Sequence, residues 1–185
     1  MVTKVRRYTV EEFDEFVLLP ENRDRQFEYI AGEIVEVVSN PKSSKIAARI
    51  IMLFGPYMLE NDTGHLTGAD GGYIVSGERY IPDVGFISYA KQPELMAEDG
   101  YNPNPPELAI EVLSPSNTPG EMRVKIANYI NAETILWVVD PEHEQVEVYV
   151  PGQKVEVIGI DGILDGGNVL PGFKLAVKDI FPQQK

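Results

Sequence analysis

The chain has 185 residues, with 16 Lys and Arg against 29 Asp and Glu, and a formal net charge of −13 at pH 7. It contains no cysteine, which excludes disulfides and thiolate metal sites, and its apolar runs fall short of the ~20 residues of a membrane span. The acidity excludes a protein that coats nucleic acid through bulk charge, although it permits a local contact. Length and composition predict one cytoplasmic domain over residues 1–185.

Capping and turn signals predict the elements of the first half of the chain. Thr9 with Glu12 forms a capping-box pattern, and Asn40–Pro41 is a typical helix start. The predicted elements are a helix between Thr9 and Pro20, a hairpin over 26–38, a helix from Asn40 to about residue 60, and strands over 72–77 and 79–88 around a turn at Gly77.

The second half continues this mixed order of strands and helices. It predicts a long polar loop over 91–106, a buried strand over 107–113, a helix from Thr118, a buried strand over 135–139, a hairpin over 146–160, and a last strand over 173–177. Because hairpins lie at both ends and composition does not change along the chain, we expect one α+β domain. Its central β-sheet is mixed, flanked by helices and extended by hairpins.

Histidine and glycine patterns give no support to two common chemistries, triad catalysis and the binding of nucleotide phosphates by a glycine-rich loop. His65 and His143 have no Ser at the spacing of a catalytic triad, and we expect both to be structural or solvated. No glycine-rich phosphate-binding motif follows a strand.

Two carboxylates interrupt apolar strands and are the first candidates for a site. Asp83 follows Ile81–Pro82, and Glu111 lies within Ala109–Leu113. A buried charge is costly unless it is paired, hydrogen-bonded or bound to metal. On spacing alone, a hard-oxygen site for Mg²⁺ or Mn²⁺ and a pair of ordinary ion pairs are equally good interpretations.

The order Pro82–Asp83 and then Glu111–Val112–Leu113 resembles the PD-(D/E)xK nuclease superfamily. The usual lysine is absent because its position is Leu113, and Lys125 on the following helix resembles the migrated lysine of one branch. That branch is the Uma-type family of restriction-endonuclease-like proteins, long labelled a domain of unknown function. The matching segments are 27–35, 81–84, 106–115, 125–129, 136–141 and 163–173. The family often has a histidine at a helix start, where this chain has Ser43.

This resemblance implies a restriction-endonuclease-like core and assigns roles to individual residues. Asp83, Glu111 and the backbone carbonyl of Val112 would bind Mg²⁺ or Mn²⁺, and Lys125 would act on the attacking water or the phosphate. Tyr129, one helical turn after Lys125, is a second candidate on that helix face.

Three other acidic residues receive lesser predictions. Glu33 is a candidate third carboxylate of the site or a residue that supports its ligands. Glu28 is expected to pair with an arginine or to organise the sheet, and Asp70 is expected to be a turn residue.

A basic stripe is the candidate contact with nucleic acid. Lys42, Lys45 and Arg49 share one face of the helix that begins at Asn40, in a segment without acidic residues. An ordinary solvated face explains the same pattern equally well.

The sequence therefore leads to two functional hypotheses from different classes. The first is a metal-dependent endonuclease that hydrolyses phosphodiester bonds, with DNA as the expected substrate and a homodimer as the expected assembly. The second is a catalytically inactive module of nuclease fold that binds protein or nucleic acid.

Overall fold

A computed structural model describes residues 6–38, 40–94 and 100–181. The helices in these ranges are α1 (Val10–Val17), α2 (Pro41–Asn61), α3 (Pro119–Asn131) and α4 (Val177–Ile180), with a 3-10 turn at Pro20–Asn22. The strands are β1 (Phe27–Ile30), β2 (Glu33–Glu36), β3 (Gly64–Thr67), β4 (Gly72–Val75), β5 (Glu78–Tyr80), β6 (Val84–Ser88), β7 (Tyr101–Asn102), β8 (Leu108–Val112), β9 (Ile135–Asp140), β10 (Gln145–Tyr149), β11 (Glu156–Ile158), β12 (Ile163–Asp165) and β13 (Lys174–Ala176).

The strands of the described residues form two larger sheets and one small hairpin. The six-stranded sheet has the order β11-β10-β9-β8-β6-β3, the five-stranded sheet has the order β2-β1-β5-β4-β7, and β12 pairs with β13. In the six-stranded sheet β8 and β9 are parallel and α3 connects them, whereas the other neighbours are antiparallel. This mixed sheet with flanking helices confirms the predicted α+β class.

The predicted helix starts are confirmed by their capping hydrogen bonds. The Thr9 and Thr118 side chains accept bonds from the backbone amides of Glu12 and Glu121, whose carboxylates bond back to the caps. The Asn40 side chain caps α2. These local bonds explain why helix starts are readable from sequence.

The predicted strand over 79–88 is instead divided by Pro82. Its first part, β5, belongs to the five-stranded sheet, and its second part, β6, belongs to the six-stranded sheet. Proline cannot donate a ladder hydrogen bond, so the chain leaves one sheet and enters the other at this point. The segment Pro82–Asp83 is therefore one of the points at which the chain passes between the two sheets.

Several short strands were not predicted. The turn region assigned to His65 is the edge strand β3, in which Gly64 lies so close to Phe86 and Ile87 that a Cβ would clash. The predicted loop over 91–106 contains β7, and residues 95–99 of that loop lie outside the described residues. The hairpin of β12 and β13 was predicted only in its second strand.

The two faces of the six-stranded sheet pack against different helices. The α2 side chains Ile46, Ile50 and Phe54 cover one face, which includes Ile110 of β8. The α3 side chains Met122 and Tyr129 cover the other face. Among the described helices, none is long and apolar enough to cross a membrane.

Candidate active site

The period-two alternation of β8 determines where Glu111 lies. Ile110 and Val112 face α2, so Glu111 faces α3, where only 7% of the residue is exposed. A carboxylate in this position needs partners, because burial in apolar surroundings disfavours its charged form.

Asp83 joins this cluster where the pairing of β6 with β8 ends, and its side chain there replaces a backbone hydrogen-bond acceptor. Its Oδ2 accepts a hydrogen bond of 2.7 Å from the backbone N–H of Val112. The β6–β8 register pairs Val84 with Ile110, and its continuation would place Val112 opposite Pro82. Because proline has no N–H, the Val112 carbonyl receives no ladder bond from that position. Pro82 therefore leaves the Val112 carbonyl, the predicted metal ligand, without a ladder hydrogen bond on this side.

Lys125 extends from α3 into the same cluster. Its Nζ lies 2.7 Å from Glu111 Oε1, and only 3% of the residue is exposed. The Tyr129 hydroxyl donates a 2.9 Å hydrogen bond to the same Glu111 oxygen. The structure therefore brings together Asp83, Glu111, Lys125 and Tyr129, which are separated along the sequence.

Glu28 is the member of the cluster for which the sequence predicts an arginine pair or a role in the sheet, not a place in the site. Its carboxylate oxygens lie 2.9 and 3.1 Å from Lys125 Nζ, and Oε1 also accepts a 2.7 Å bond from the Ile81 amide. The prediction of an arginine partner is wrong, because Glu28 forms its ion pair with Lys125. The signal was available in the sequence, because Glu28 interrupts the apolar strand Phe27–Ile30 much as Glu111 interrupts β8.

Glu33 lies at the opposite end of the β1–β2 hairpin from the cluster. It pairs with Ile30, whereas Val35 pairs with Glu28, and Glu33 does not line the cavity beside the cluster. Its place in the hairpin gives it no contact with Lys125 among the hydrogen bonds and ion pairs of the described residues.

The charges of the cluster shift one another's proton affinities. Burial raises the pKa of Glu111 above its ordinary value, Lys125 opposes that change, and Glu28 and Asp83 reinforce it. Burial would lower the pKa of Lys125, but the carboxylates of Glu111 and Glu28 outweigh burial and raise it. Burial also raises the pKa of Asp83. Three carboxylates around one ammonium thus leave an excess of negative charge.

A cavity of about 360 Å³ opens beside this cluster, and we call it the acidic cavity. Its only cationic side chain among the described lining residues is Lys125. Its acidic side chains are Glu28, Glu36, Asp70, Asp83, Glu111 and Glu121. Asp70 lies in the predicted turn, and Ser43 lines the cavity from the start of α2. An anion such as a phosphodiester is repelled here unless a cation accompanies it.

The donor set fits a hard divalent cation. The described residues contain no group of three or more His, Cys, Asp or Glu arranged to hold a metal. Asp83, Glu111 and the open Val112 carbonyl instead offer two carboxylates and one backbone oxygen. Mg²⁺ is commonly held by one or two carboxylates, with water and substrate phosphate completing its shell. These residues therefore could hold Mg²⁺ or Mn²⁺.

The predicted basic stripe is partly engaged within the protein. Lys42 Nζ donates to the Pro141 carbonyl at 3.2 Å, and Arg49 Nε donates to the Asp179 carbonyl. Lys45 is exposed on the same helix.

The two histidines lie outside the acidic cavity. His65 Nε2 contacts the Gln92 carbonyl at 3.1 Å, and His143 Nδ1 contacts Asp140 at 2.7 Å.

The mixed sheet, the β8–α3–β9 crossover and the carboxylates at the end of β8 define a restriction-endonuclease-like fold. The chain belongs to the Uma2 family, described as "Putative restriction endonuclease", which matches residues 13–178.

Solved structures agree with this fold. Four chains match, among them a crystal structure described as a putative nuclease belonging to DUF820 from Anabaena variabilis. That match has a TM-score of 0.75 and 24% sequence identity, and covers 91% of this chain and 96% of the other. No curated protein matches the sequence.

Proposed function

We propose that this protein is an endonuclease that hydrolyses phosphodiester bonds with the help of a bound Mg²⁺ or Mn²⁺. One observation carries the proposal: the Lys125 ammonium is held between Glu111 and Glu28, beside Asp83, in a cavity that is otherwise acidic. A buried lysine among carboxylates at the end of a central strand is costly to maintain as structure alone. It is the arrangement that family membership leads us to expect of an active site.

Asp83, Glu111 and the Val112 carbonyl are the proposed ligands of the cation. When bound, the cation supplies Lewis-acid polarisation of the scissile phosphate. The protein's own contribution is to hold these oxygens in place: the Val112 amide fixes one Asp83 oxygen, and Tyr129 and Lys125 fix one Glu111 oxygen.

Lys125 is the proposed catalytic cation of the chain. Because Glu111 and Glu28 raise its pKa, Lys125 stays protonated near neutral pH and can stabilise the negative charge that develops on the phosphate. Glu28 is a positioning residue, since it holds the Lys125 ammonium and is itself fixed by the Ile81 amide. Glu33 has no part in this proposal because it does not line the acidic cavity.

We propose DNA as the substrate, in keeping with the description of the family. We also propose a homodimer, because two copies of the chain provide two active sites, one for each strand of a duplex. Sedimentation of the purified protein with and without DNA measures the assembly directly. A monomer in both conditions contradicts the dimer without affecting the proposed chemistry.

A cleavage panel tests the proposed activity. Single-stranded, duplex and branched DNA, with RNA of the same sequence, are incubated with Mg²⁺, Mn²⁺ or EDTA. We expect cleavage in the presence of either metal, its absence in EDTA, and its loss in Asp83→Asn and Lys125→Met.

Matched controls separate loss of chemistry from a general effect of charge. Asp161→Asn and Lys154→Met make the same changes at exposed positions and should cleave as the wild type does. If Asp83→Asn and Lys125→Met retain activity, the catalytic assignment is wrong. If the wild type cleaves none of the substrates, the nuclease proposal fails and the binding-module hypothesis is favoured.

A further inference from the structure

A second cavity, of about 540 Å³, lies next to the acidic cavity, and we call it the apolar cavity. Its apolar wall includes Leu113, Pro115, Pro119, Met122, Ile126 and Val138. It lies between α3 and the carboxyl ends of β8 and β9, where ligands commonly bind to parallel strands. Its volume is in the range of small-molecule sites.

The two cavities are adjacent, because four of their lining residues are shared. Ser43, Ser114, Asn117 and Met122 line both of them. On α3, Lys125 reaches the acidic cavity and Ile126 lines the apolar cavity, with Met122 one turn before them. A ligand with one group beside Glu111 can therefore place a neighbouring group in the apolar cavity.

The charges around the apolar cavity decide which kind of group can enter. Its charged lining residues are Asp140, Glu142 and Glu147, opposed by Lys42. The local excess of carboxylates repels a second phosphate, whereas the aliphatic wall favours an uncharged, largely apolar group. A nucleobase is uncharged and presents flat apolar faces to such a wall.

Polar groups at the rim offer little discrimination among bases. The Asn117 side-chain oxygen accepts bonds from Ser114, and the Asn40 side-chain oxygen accepts bonds from the Lys42 and Ser43 amides. Because these oxygens are engaged, contact through them is limited, and size and burial against the aliphatic wall contribute most to the fit of a base. The cavity therefore suits an unpaired base.

We propose that the apolar cavity receives an unpaired nucleobase next to the scissile phosphate, so that the preferred substrate is single-stranded or locally unpaired nucleic acid. This inference rests on the proposed nuclease function and deepens it by naming the substrate class. In a perfect duplex the base is stacked and paired, and the energy of unstacking must be supplied before the base can enter the cavity.

Cleavage rates provide the first test. We compare one DNA strand alone, the same strand in a perfect duplex, and the same duplex with a mismatch at the mapped cleavage position. We expect the single strand and the mismatched duplex to be cleaved about tenfold faster than the perfect duplex. Equal rates for all three overturn the inference while the proposed nuclease function stands.

A cavity-filling variant tests the location of the base. Ile126→Phe, at a half-buried position, fills the cavity, and Ile163→Phe makes the same change at an exposed position away from both cavities. We expect wild type and Ile163→Phe to cleave an intact strand about tenfold faster than one with an abasic site beside the scissile phosphate. Ile126→Phe should lose this difference, and its retention overturns the proposal.

A binding measurement separates failure of this inference from failure of the proposed function. A single strand with 2-aminopurine beside the mapped or central phosphate is added to the wild type in Ca²⁺, and its fluorescence rises when the base leaves the stack. A rise that disappears in Ile126→Phe and persists in Ile163→Phe supports the base site, even if nothing is cleaved. The absence of any rise in the wild type, or a rise unaffected by Ile126→Phe, overturns it.

Discussion

The two faces of β8 differ sharply although they come from one five-residue strand. Towards α2, Leu108, Ile110 and Val112 lie in a core of aliphatic and aromatic side chains. Towards α3, Ala109 and Glu111 lie beside a lysine, a tyrosine and two further carboxylates. Both faces are buried, so the difference shows that burial alone does not make this side of the sheet apolar. The charged face is tolerated because its groups satisfy one another.

The largest expected effect comes from the charged face. Glu111→Gln keeps the shape of the side chain and removes its negative charge, so we expect metal-dependent cleavage to fall about 1,000-fold. Single-turnover cleavage in Mg²⁺ measures the loss. The stability of the metal-free variant should not decrease, because the excess of buried negative charge is smaller. If Glu111→Gln cleaves at the wild-type rate, the proposed role of the charged face is wrong.

The apolar face should respond in the opposite way. Ile110→Ala leaves a hole in the core and should lower the free energy of unfolding by about 2–5 kcal/mol, while the folded fraction still cleaves. Denaturant unfolding and cleavage assays on the same samples separate the two effects. Val157→Ala, at an exposed position, is the control and should change stability by less than about 0.5 kcal/mol. If Ile110→Ala loses cleavage but not stability, the apolar face also carries the chemistry, and the proposed distinction between the two faces of β8 is wrong.

A smaller effect is expected at the residue that positions the lysine. Glu28→Gln removes a carboxylate that holds Lys125 and raises its pKa, so cleavage should fall about 10- to 100-fold. The decline of cleavage at alkaline pH should also begin at lower pH, which a purely structural role does not explain. An unshifted pH profile would assign Glu28 to the sheet alone.

Stability should depend on pH through the same cluster. The pKa of Glu111 is raised from an ordinary 4.5 to about 7, so across that interval the folded metal-free protein binds more protons than the unfolded chain. The free energy of unfolding therefore falls as pH rises from about 4.5 to about 7, and the raised pKa of Asp83 acts in the same direction. Urea unfolding in EDTA measures the slope, which Glu111→Gln should reduce. A rise in stability over this interval contradicts the charge balance described for the cluster.

The smallest effect is expected at the exposed helix surface. Lys45→Ala should weaken DNA binding by less than about 1 kcal/mol and reduce the salt dependence by about one counterion, as for a single phosphate contact. Fluorescence anisotropy at several salt concentrations measures both. An affinity and salt slope identical to those of the wild type assign Lys45 to an ordinary solvated face.

Local chemistry made much of the fold predictable from sequence. The capping residues Thr9, Asn40 and Thr118 lie next to the helices they start, and the Ala31–Gly32 turn lies between the strands it joins. Asp83 and Glu111 were recognisable because a carboxylate inside an apolar run requires a partner.

The unpredicted features depend on contacts between distant residues. Glu28 and Lys125 are 97 positions apart, and the sequence around either residue does not reveal the other as its partner. The division of residues 79–88 between two sheets depends on which strands pair with each half, which periodicity does not reveal. The short strand β3 has no apolar alternation, and it forms through its pairing with β6.

Lys125 also acts as a noncovalent cross-link between the two larger sheets. It contacts Glu28 on β1 of one sheet and Glu111 on β8 of the other, close to Pro82–Asp83, one of the points at which the chain passes between the sheets. Separating the sheets would expose or leave unpaired a buried charge, which favours their unfolding in a single cooperative step. A partly folded chain therefore has no assembled charge cluster. Under the proposed function, the protein would acquire its ability to cut nucleic acid only when folding is complete.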